Sequence, residues 1–282
     1  MDRSKNYVAY LEEISLISLL FAGVSFLATY LLMPQVSDMV RERLVRPNHA
    51  NEEIPVGLGM IFVLVVVPLI ILLVLLTQIT VVVGLIWLLS LMGFGMLGFI
   101  DDTLGSREAR GFCGHFRALL GGQLTTGALK ALFGAGIALL VALFTADQGV
   151  TIIVNTLVIS LFANLFNLLD VRPGRSSKAF LFLALPLFTL TLPPLPMALL
   201  VASVLAYIPW DLQSKVMMGD VGANVLGAAY GLAVLTIPLS FRLLVLLFLV
   251  AIHVYAERFS LSQAIEGNSF LQMMDSWGRK KV

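Results

Sequence analysis

The sequence has few charged residues and almost no cysteine. Asp, Glu, Lys and Arg make up 12% of its 282 residues, and 59% are hydrophobic. Soluble domains carry about 25% charged residues, so this composition excludes a soluble globular protein. The single cysteine, Cys113, excludes an intramolecular disulfide and a cysteine-based metal site. A formal net charge of +1 gives no support to a nucleic-acid partner. The composition therefore indicates an integral membrane protein.

Long apolar runs predict about nine transmembrane helices, since a spanning helix needs about 20 mainly apolar residues. The predicted segments are 14–34, 54–77, 79–100, 124–146, 150–169, 178–192, 195–210, 221–237 and 239–256. The sixth and seventh are short, and the proline-rich stretch TLPPLPM lies between them. We therefore predict an all-α, polytopic membrane protein with one transmembrane domain over residues 1–282.

Basic residues are unevenly divided between alternate loops, and this predicts the orientation. One set of loops holds fourteen of them and the other holds Arg3, Lys5 and Arg242. The larger set is Arg41, Arg43, Arg46, Arg107, Arg110, Arg117, Arg172, Arg175, Lys178, Lys215, Arg258, Arg279, Lys280 and Lys281. Cytoplasmic loops carry the excess of Lys and Arg. We expect a multi-pass cell-membrane protein with its N-terminus outside and its C-terminus in the cytoplasm.

The C-terminal tail, residues 258–282, is too polar to span a membrane. Its apolar residues recur at roughly helical spacing, with a break at Gly267 and Asn268. This pattern predicts an amphipathic cytoplasmic tail of one helix or two short ones. Such a tail either lies in the membrane interface or packs on the protein's own loops, and the sequence leaves both alternatives open.

Polar side chains gather at the predicted cytoplasmic ends of the spans. They are Asp101, Asp102, Lys130, Asn164, Asn167, Asp170, Asp220 and His253. Each has a simple structural explanation when it is taken alone. Lys130 can extend its ammonium to the interface, and Asp102 can cap the next segment. Ionisable groups at membrane depth are costly and usually face a partner or a wet cavity, so the whole group indicates a functional site.

Four carboxylates cannot share a dry site without repulsion, which protonation or a bound cation relieves. Oxygen ligands favour a hard cation such as Mg²⁺, which keeps waters and substrate phosphates in its shell. The residues alone therefore predict a carboxylate-lined phosphate site that faces the cytoplasm and uses Mg²⁺, with Mn²⁺ as the alternative ion. They do not identify the substrate.

Four segments, in this order, resemble the polyprenyl-phosphate N-acetylhexosamine-1-phosphate transferase family, which includes the MraY-like and WecA-like enzymes. The segments are EEIPVGLGM, GFIDD, NLFNLLDVRPG and KVMMGDVGANVLG. The last is the most specific, and the correspondence runs along nearly the whole chain. The resemblance implies a phosphoglycosyltransferase. Such an enzyme moves a sugar 1-phosphate from a UDP-sugar to a polyprenyl phosphate at the cytoplasmic membrane face, releases UMP, and serves cell-envelope polymer synthesis.

The resemblance also implies roles for individual residues. Asp101 and Asp220 would surround Mg²⁺ and the pyrophosphate, and Asp102 would support Mg²⁺ or the lipid phosphate. Lys130 would offset the charge of the transferred group. The substrate-binding residues would be Asn164, Asn167, Asp170, Arg172 and His253. The implied partners are the polyprenyl phosphate and the nucleotide sugar, and a homodimer is left as an option.

The segment after Asp170 departs from the family pattern and leaves the donor open. Where the family has Gly-Leu-Asp-Gly, this chain has Val171, Arg172, Pro173 and Gly174. With Arg175, the change predicts weaker discrimination for uracil or an acidic donor such as a uronic acid; alternatively, both arginines only set the topology. A non-catalytic relative that binds polyprenyl phosphate or nucleotide sugar is the second reading. A transporter is the third, and it requires carboxylates throughout the membrane depth.

Overall fold

The chain is almost entirely helical. A computed structural model describes residues 3–48, 51–105, 121–123, 125–146, 148–190 and 194–280, and 78% of it is helix. The helices are α1 (Arg3–Arg41), α2 (Met60–Leu75), α3 (Val81–Leu104), α4 (Thr126–Thr145), α5 (Gly149–Leu169), α6 (Arg175–Leu190), α7 (Leu195–Leu212), α8 (Gly219–Val234), α9 (Leu239–Arg258), α10 (Leu261–Glu266) and α11 (Ser269–Ser276). Two short strands, β1 (Val45–Pro47) and β2 (Glu53–Pro55), complete the described elements.

Each of the nine predicted segments coincides with one helix from α1 to α9. Six of these helices are long and apolar enough to cross a membrane, namely α1, α3, α4, α5, α7 and α9. Helices α2, α6 and α8 have 16 residues each. They would cover about 24 Å, less than a hydrocarbon core of about 30 Å. A multi-pass membrane protein is confirmed, whereas the count of nine and the orientation stay predictions.

Some of the predicted positions lie outside the described residues. They are Arg107, Arg110, Arg117, Lys281 and Cys113.

Helix starts follow local sequence signals. The hydroxyl oxygens of Thr80 and Thr125 accept hydrogen bonds from backbone N–H groups in the first turns of α3 and α4. Pro194 and Pro238 directly precede α7 and α9. A hydroxyl cap pairs a donor that the helix itself cannot, and proline is favoured at helix starts. These signals explain why the predicted starts of the four helices fall within two residues of the observed ones.

Helix α8 lies at the centre of the bundle and packs on α3 and α5. Nearly all of its side chains are buried. A Cβ atom on Gly231 would lie 2.7 Å from the Cα of Ile159, and one on Gly227 would overlap the backbone of α5. The glycines therefore let α5 and α8 approach backbone to backbone. Helix α9 is peripheral, and only 6% of its most apolar 18-residue stretch is buried.

The β1–β2 hairpin was not predicted, and it positions the chain beside α8. The two strands are antiparallel, with Val45 opposite Pro55. At the end of β2 the Met217 N–H donates to Pro55 O at 2.8 Å, and after β2 the Gly59 N–H donates to Met218 O at 2.9 Å. This extended pairing fixes residues 55–59 against the segment that leads into α8.

Candidate active site

Lys130 connects two of the predicted acidic residues at one end of the bundle. Asp101 lies near the C-terminus of α3, Lys130 lies near the start of α4, and Asp220 lies at the start of α8. Lys130 Nζ is 3.3 Å from Asp101 Oδ2 and makes a shorter ion pair with Asp220 Oδ2. The three side chains are 16%, 23% and 26% exposed. One partly buried ammonium therefore offsets two carboxylates, and both carboxylates remain partly exposed.

Asn167 completes this cluster from the last turn of α5. With its amide oriented to satisfy both neighbours, its nitrogen donates to Asp220 Oδ1 at 2.8 Å and its oxygen accepts from Lys130 Nζ at 2.9 Å. The NH₂ group of the amide thereby faces an acceptor, and its oxygen faces a donor. Four helices, α3, α4, α5 and α8, thus each contribute one polar side chain to the cluster Asp101–Lys130–Asn167–Asp220.

Asp102 points away from this cluster and into the protein. Its Oδ1 accepts a hydrogen bond from the Asp220 N–H and its Oδ2 accepts one from the Val221 N–H, both at 3.0 Å. The residue is 7% exposed. A helix leaves its first N–H groups unpaired, and a negative charge is favourable there. Asp102 therefore caps α8, a helix more than 100 residues downstream, and holds the backbone of Asp220.

Glycines permit this close approach. Gly219 has φ +73°, a conformation that L side chains rarely adopt, and a Cβ there would lie 2.5 Å from Asp102 Oδ2. A Cβ on Gly98 would overlap the backbone carbonyl of Asp220. A Cβ on Gly59 would overlap the backbone of Gly222. The glycines of three motifs thus allow α3, α8 and the residues after β2 to meet at one point.

Arg46 joins the site although the sequence marked it only as a loop arginine. Its Nη2 donates a hydrogen bond to the backbone oxygen of Asp102 at 2.6 Å. That bond ties β1 to the end of α3, where the last carbonyl groups of a helix need donors. No spacing pattern distinguishes Arg46 from Arg41 or Arg43, so only the folded hairpin reveals this contact.

Asp170 ends α5 next to a second buried acid. Burial, and after it the charges of Asp211, Asp220 and Asp102, raise the pKa of Asp170 well above its ordinary range. Asp211, at the end of α7, is 3% exposed, and its Oδ2 accepts from the Ser177 hydroxyl at 3.2 Å. Asp211 is not among the predicted site residues, although an acid at the end of an apolar span is the same signal that marks Asp101.

The two arginines after Asp170 contact the C-terminal tail. The Arg175 guanidinium is 5% exposed. Its Nε and Nη2 donate to Asp275 at 2.8 and 2.9 Å, and its Nη1 donates to Ser262 at 2.8 Å. Arg172 makes a more exposed ion pair with Glu266 at 3.2 Å. Burial opposes ionisation of Asp275, but hydrogen bonds from Arg175 and Arg279 outweigh it and lower the pKa to about 2.

Two predicted residues lie apart from the cluster. Asn164 is exposed on α5, and within the described residues no hydrogen bond connects it to Lys130. His253 lies on α9, where its Nδ1 is 2.7 Å from Leu249 O of the same helix. Its buried Nε2 has no hydrogen-bond partner in the part of the chain that the structure describes. Their assignment to substrate binding stays a prediction.

An apolar groove of about 430 Å³ follows the outer side of α4. It is lined by Leu132, Phe133, Gly136, Ile137, Leu139 and Leu140. Phe133 is one helical turn from Lys130, so the groove starts beside the polar cluster. A molecule with a charged head and a long apolar chain could therefore contact both features at once.

The described residues hold no cluster of three or more His, Cys, Asp or Glu side chains that could bind a metal by itself. The donors at the cluster are the carboxylates of Asp101 and Asp220. Mg²⁺ is commonly bound through one or two carboxylates together with substrate phosphates and water. This donor set fits a Mg²⁺ ion that arrives with a phosphorylated substrate, and it does not fit a closed protein cage.

Comparison with known proteins gave one family match. The model described as glycosyl transferase family 4 matches residues 83–238, which is more than half of the chain. The match runs from the first turn of α3 through α8 and so includes Asp101, Lys130, Asn167 and Asp220. A search of curated proteins found no match.

Proposed function

The chain belongs to glycosyl transferase family 4, the family of MraY/WecA-like polyprenyl-phosphate hexosamine-1-phosphate transferases, and from this membership we propose its reaction. The enzyme transfers a sugar 1-phosphate from a nucleotide sugar, a UDP-sugar, to a polyprenyl phosphate. The reaction occurs at the cytoplasmic membrane face, releases UMP, and provides a lipid-linked sugar for a cell-envelope polymer.

The observation that carries this proposal is the Asp101–Lys130–Asn167–Asp220 cluster. A phosphate acceptor and a pyrophosphate donor are both anions, so their meeting requires positive charge at a fixed position. Lys130 supplies an ammonium held by two carboxylates and an amide. Preorganised charge of this kind stabilises phosphoryl transfer without reorganisation during the reaction.

The bond changes define what the cluster must do. One oxygen of the polyprenyl phosphate forms a bond to the sugar-linked phosphorus of the donor. The bond from that phosphorus to the bridging oxygen breaks, and its electron pair leaves with UMP. In this proposal Lys130 offsets the charge on the transferred phosphoryl group. Asn167 holds both Lys130 and Asp220 and so keeps the ammonium directed toward the reacting phosphates.

Mg²⁺ fits the same cluster through Asp101 and Asp220. The family is generally metal-dependent, and both carboxylates are partly exposed. Bound Mg²⁺ supplies charge neutralisation at the pyrophosphate oxygens. Asp102 has a different task, because both of its oxygens already accept hydrogen bonds from α8. We therefore assign Asp102 to positioning Asp220.

The groove on α4 supports a lipid acceptor. It is lined by apolar side chains, of which Leu132 and Phe133 are 66% and 57% exposed. Burial of apolar surface is favourable by about 25 cal/mol per Å². A polyprenyl chain in this groove would place its phosphate near Lys130.

The donor proposal now depends on Arg172 more than on Arg175. The Arg175 donors are engaged with Asp275 and Ser262 inside the protein. Arg172 is on the surface, in an ion pair that is worth little in water. An acidic group on the donor sugar could therefore replace Glu266 as its partner. Arg172→Gln should weaken binding of an acidic nucleotide sugar and leave a neutral one unchanged. If the variant binds both nucleotide sugars as the wild type does, Arg172 is a topology determinant.

A non-catalytic role remains the second candidate, and one observation favours it. Pro173 occupies the position where the family has a second aspartate on the uracil side. Proline supplies no N–H and no acceptor side chain. A protein that binds polyprenyl phosphate or a nucleotide sugar without reaction could tolerate that loss. It would retain ligand binding while releasing no nucleoside monophosphate.

The test is release of nucleoside monophosphate by the purified chain in lipid. A panel of nucleotide sugars that differ in base and sugar is offered with polyprenyl phosphate and Mg²⁺. We expect UMP from at least one UDP-sugar, with formation of the lipid product. Asp220→Asn is the control, because it removes a cluster carboxylate without changing size. Ligand binding without any monophosphate release would support the non-catalytic role.

A further inference from the structure

Helix α11 has one side held by the protein and another side exposed. Asp275 lies on the held side, where Arg175 and Arg279 both donate to it. On the exposed side, Phe270, Met273 and Trp277 are 63%, 61% and 78% exposed. Phe270 and Met273 lie on the helix and Trp277 directly follows its last residue; spacings of three and four residues place the three side chains in one stripe. We call this stripe the outer face.

The outer face cannot turn inward without breaking the attachment of the tail. Lys178 Nζ donates to the backbone oxygens of Met274 and Trp277 at 3.0 and 3.1 Å. The Lys280 N–H donates to Leu212 O at 3.0 Å, and Arg279 Nε donates to Pro173 O at 3.1 Å. These bonds attach α11 and the residues that follow it to α6, to α7 and to the loop before α6. The exposure of its apolar residues is therefore a property of the docked tail.

The tail follows a helix whose composition and exposure suit a lipid-facing position. Helix α9 is apolar enough to span a membrane, and only 6% of its most apolar 18-residue stretch is buried. Tyr255 in its last turn and Phe259 just after it are 41% and 59% exposed. Helix α10 starts at Leu261, three residues after α9 ends. The tail thus directly follows a helix that could span the membrane, and it is bonded to the loop after Asp170.

We propose that α11 is a membrane-surface helix whose outer face, Phe270, Met273 and Trp277, inserts into the interfacial layer of the bilayer. Amphipathic helices with large apolar residues lie in this layer with the polar side outward. Tryptophan is enriched there because its ring is apolar and its N–H is polar. The proposal concerns the tail alone and does not depend on the proposed catalysis.

Attachment of the tail gives the bilayer contact a consequence for the site. The polar side of α11 holds the loop after Asp170 through Pro173 and Arg175. A tail seated in the interface therefore fixes this loop relative to the membrane surface. Substitution of the outer face should loosen the loop without altering the cluster around Lys130.

Fluorescence quenching by brominated lipid tests the proposal. Trp87→Phe and Trp210→Phe leave Trp277 as the single tryptophan of the full chain. The protein is placed, one copy per disc, in phosphatidylcholine–phosphatidylglycerol nanodiscs with or without bromine near the top of the acyl chains. We expect roughly half of the emission to be lost, because an interfacial helix lies about 5–10 Å into the headgroup and acyl boundary. Aqueous iodide should have little effect.

A matched variant reports the other side of the helix. Trp277→Phe with Gln272→Trp moves the probe to an exposed polar position of α11, where iodide should quench and bromine should not. Quenching of Trp277 by iodide and not by bromolipid would overturn the proposal. Protection that appears only with two copies per disc would also overturn it, in favour of a second copy as the partner.

A second measurement applies if the tryptophan variants do not fold. Cys113→Ser removes the single cysteine, and a spin label is then attached through Met273→Cys or Gln272→Cys. The label at 273 should be more accessible to oxygen, which concentrates in lipid, and the label at 272 to a water-soluble nickel chelate. Equal accessibility of both labels to the chelate would refute bilayer insertion.

Discussion

Replacement of Asp102 by Asn should destabilise the protein without removing its metal site. The Asp102 carboxylate accepts from the Asp220 N–H and from the buried Val221 N–H, both at 3.0 Å. Asn offers one acceptor oxygen, and its NH₂ group would face the other N–H. A hydrogen bond to a charged group contributes about 1.5–3 kcal/mol. We therefore expect a loss of about 2–3 kcal/mol, or roughly 5–10 °C in Tm.

Thermal unfolding in detergent measures the stability, and Asp101→Asn is the control. Asp101 forms an ion pair with Lys130 at 3.3 Å, and its side chain is 23% exposed. Its loss should cost less than about 1 kcal/mol. The Mg²⁺ concentration for half-maximal activity, measured well below Tm, should change by less than about threefold in Asp102→Asn, a small free-energy difference. This Mg²⁺ concentration should increase by more than threefold in Asp101→Asn.

The opposite pattern would refute this reasoning. If Asp102→Asn unfolds at the wild-type temperature and needs more than about tenfold more Mg²⁺, equivalent to about 1.4 kcal/mol, Asp102 is a metal ligand. The hydrogen bonds to α8 would then contribute little to stability. If Asp102→Asn is less stable and also needs more Mg²⁺, capping and metal binding are coupled through Asp220.

Further predictions concern the cluster, the helix contacts, the topology and the tail. Asp220→Asn should lower kcat about 10²–10³-fold, as removal of a primary electrostatic contact does, and near wild-type turnover would contradict the assignment. Gly98→Ala should cost about 1–3 kcal/mol of stability because its Cβ would overlap the Asp220 carbonyl. Gly23→Ala, with open space around it, should be neutral or stabilising in the same unfolding assay. A reporter at the C-terminus should read cytoplasmic, and an external signal would mean that the spans are miscounted. Asp275 has a lowered pKa, so tail docking should be complete above about pH 4 and weaken as the pH falls toward about 2. Limited proteolysis of the tail measures this release, and unchanged protection at pH 3 would contradict it.

Several features of the fold could be predicted because they depend on short stretches of sequence. An apolar run long enough to cross a bilayer must satisfy its own backbone hydrogen bonds, so each of the nine segments became a helix. Thr80 and Thr125 cap the helices they precede. The order of the four motifs also sufficed to identify the family, since it is a property of the chain and not of its packing.

The site could be predicted as a set of residues, but not as an arrangement. Alternating spans place Asp101, Lys130, Asn167 and Asp220 at one end of the bundle, and the structure brings these four together. Asn164 belongs to the same predicted end of the bundle, but its side chain is exposed. Helical periodicity gives the side of a helix, but the neighbouring helix decides which residue of a stripe reaches the centre.

Long-range contacts were decided only by the tertiary structure. Asp102 caps a helix more than 100 residues away, and Arg46 reaches the end of α3 from a hairpin. Arg175 is committed to Asp275 in the tail. These partners are far apart in sequence, and Asp102 reaches the start of α8 because Gly98 and Gly219 let the backbones approach. A sequence specifies which groups are charged, whereas packing at those glycines determines which charges and N–H groups lie within hydrogen-bond distance.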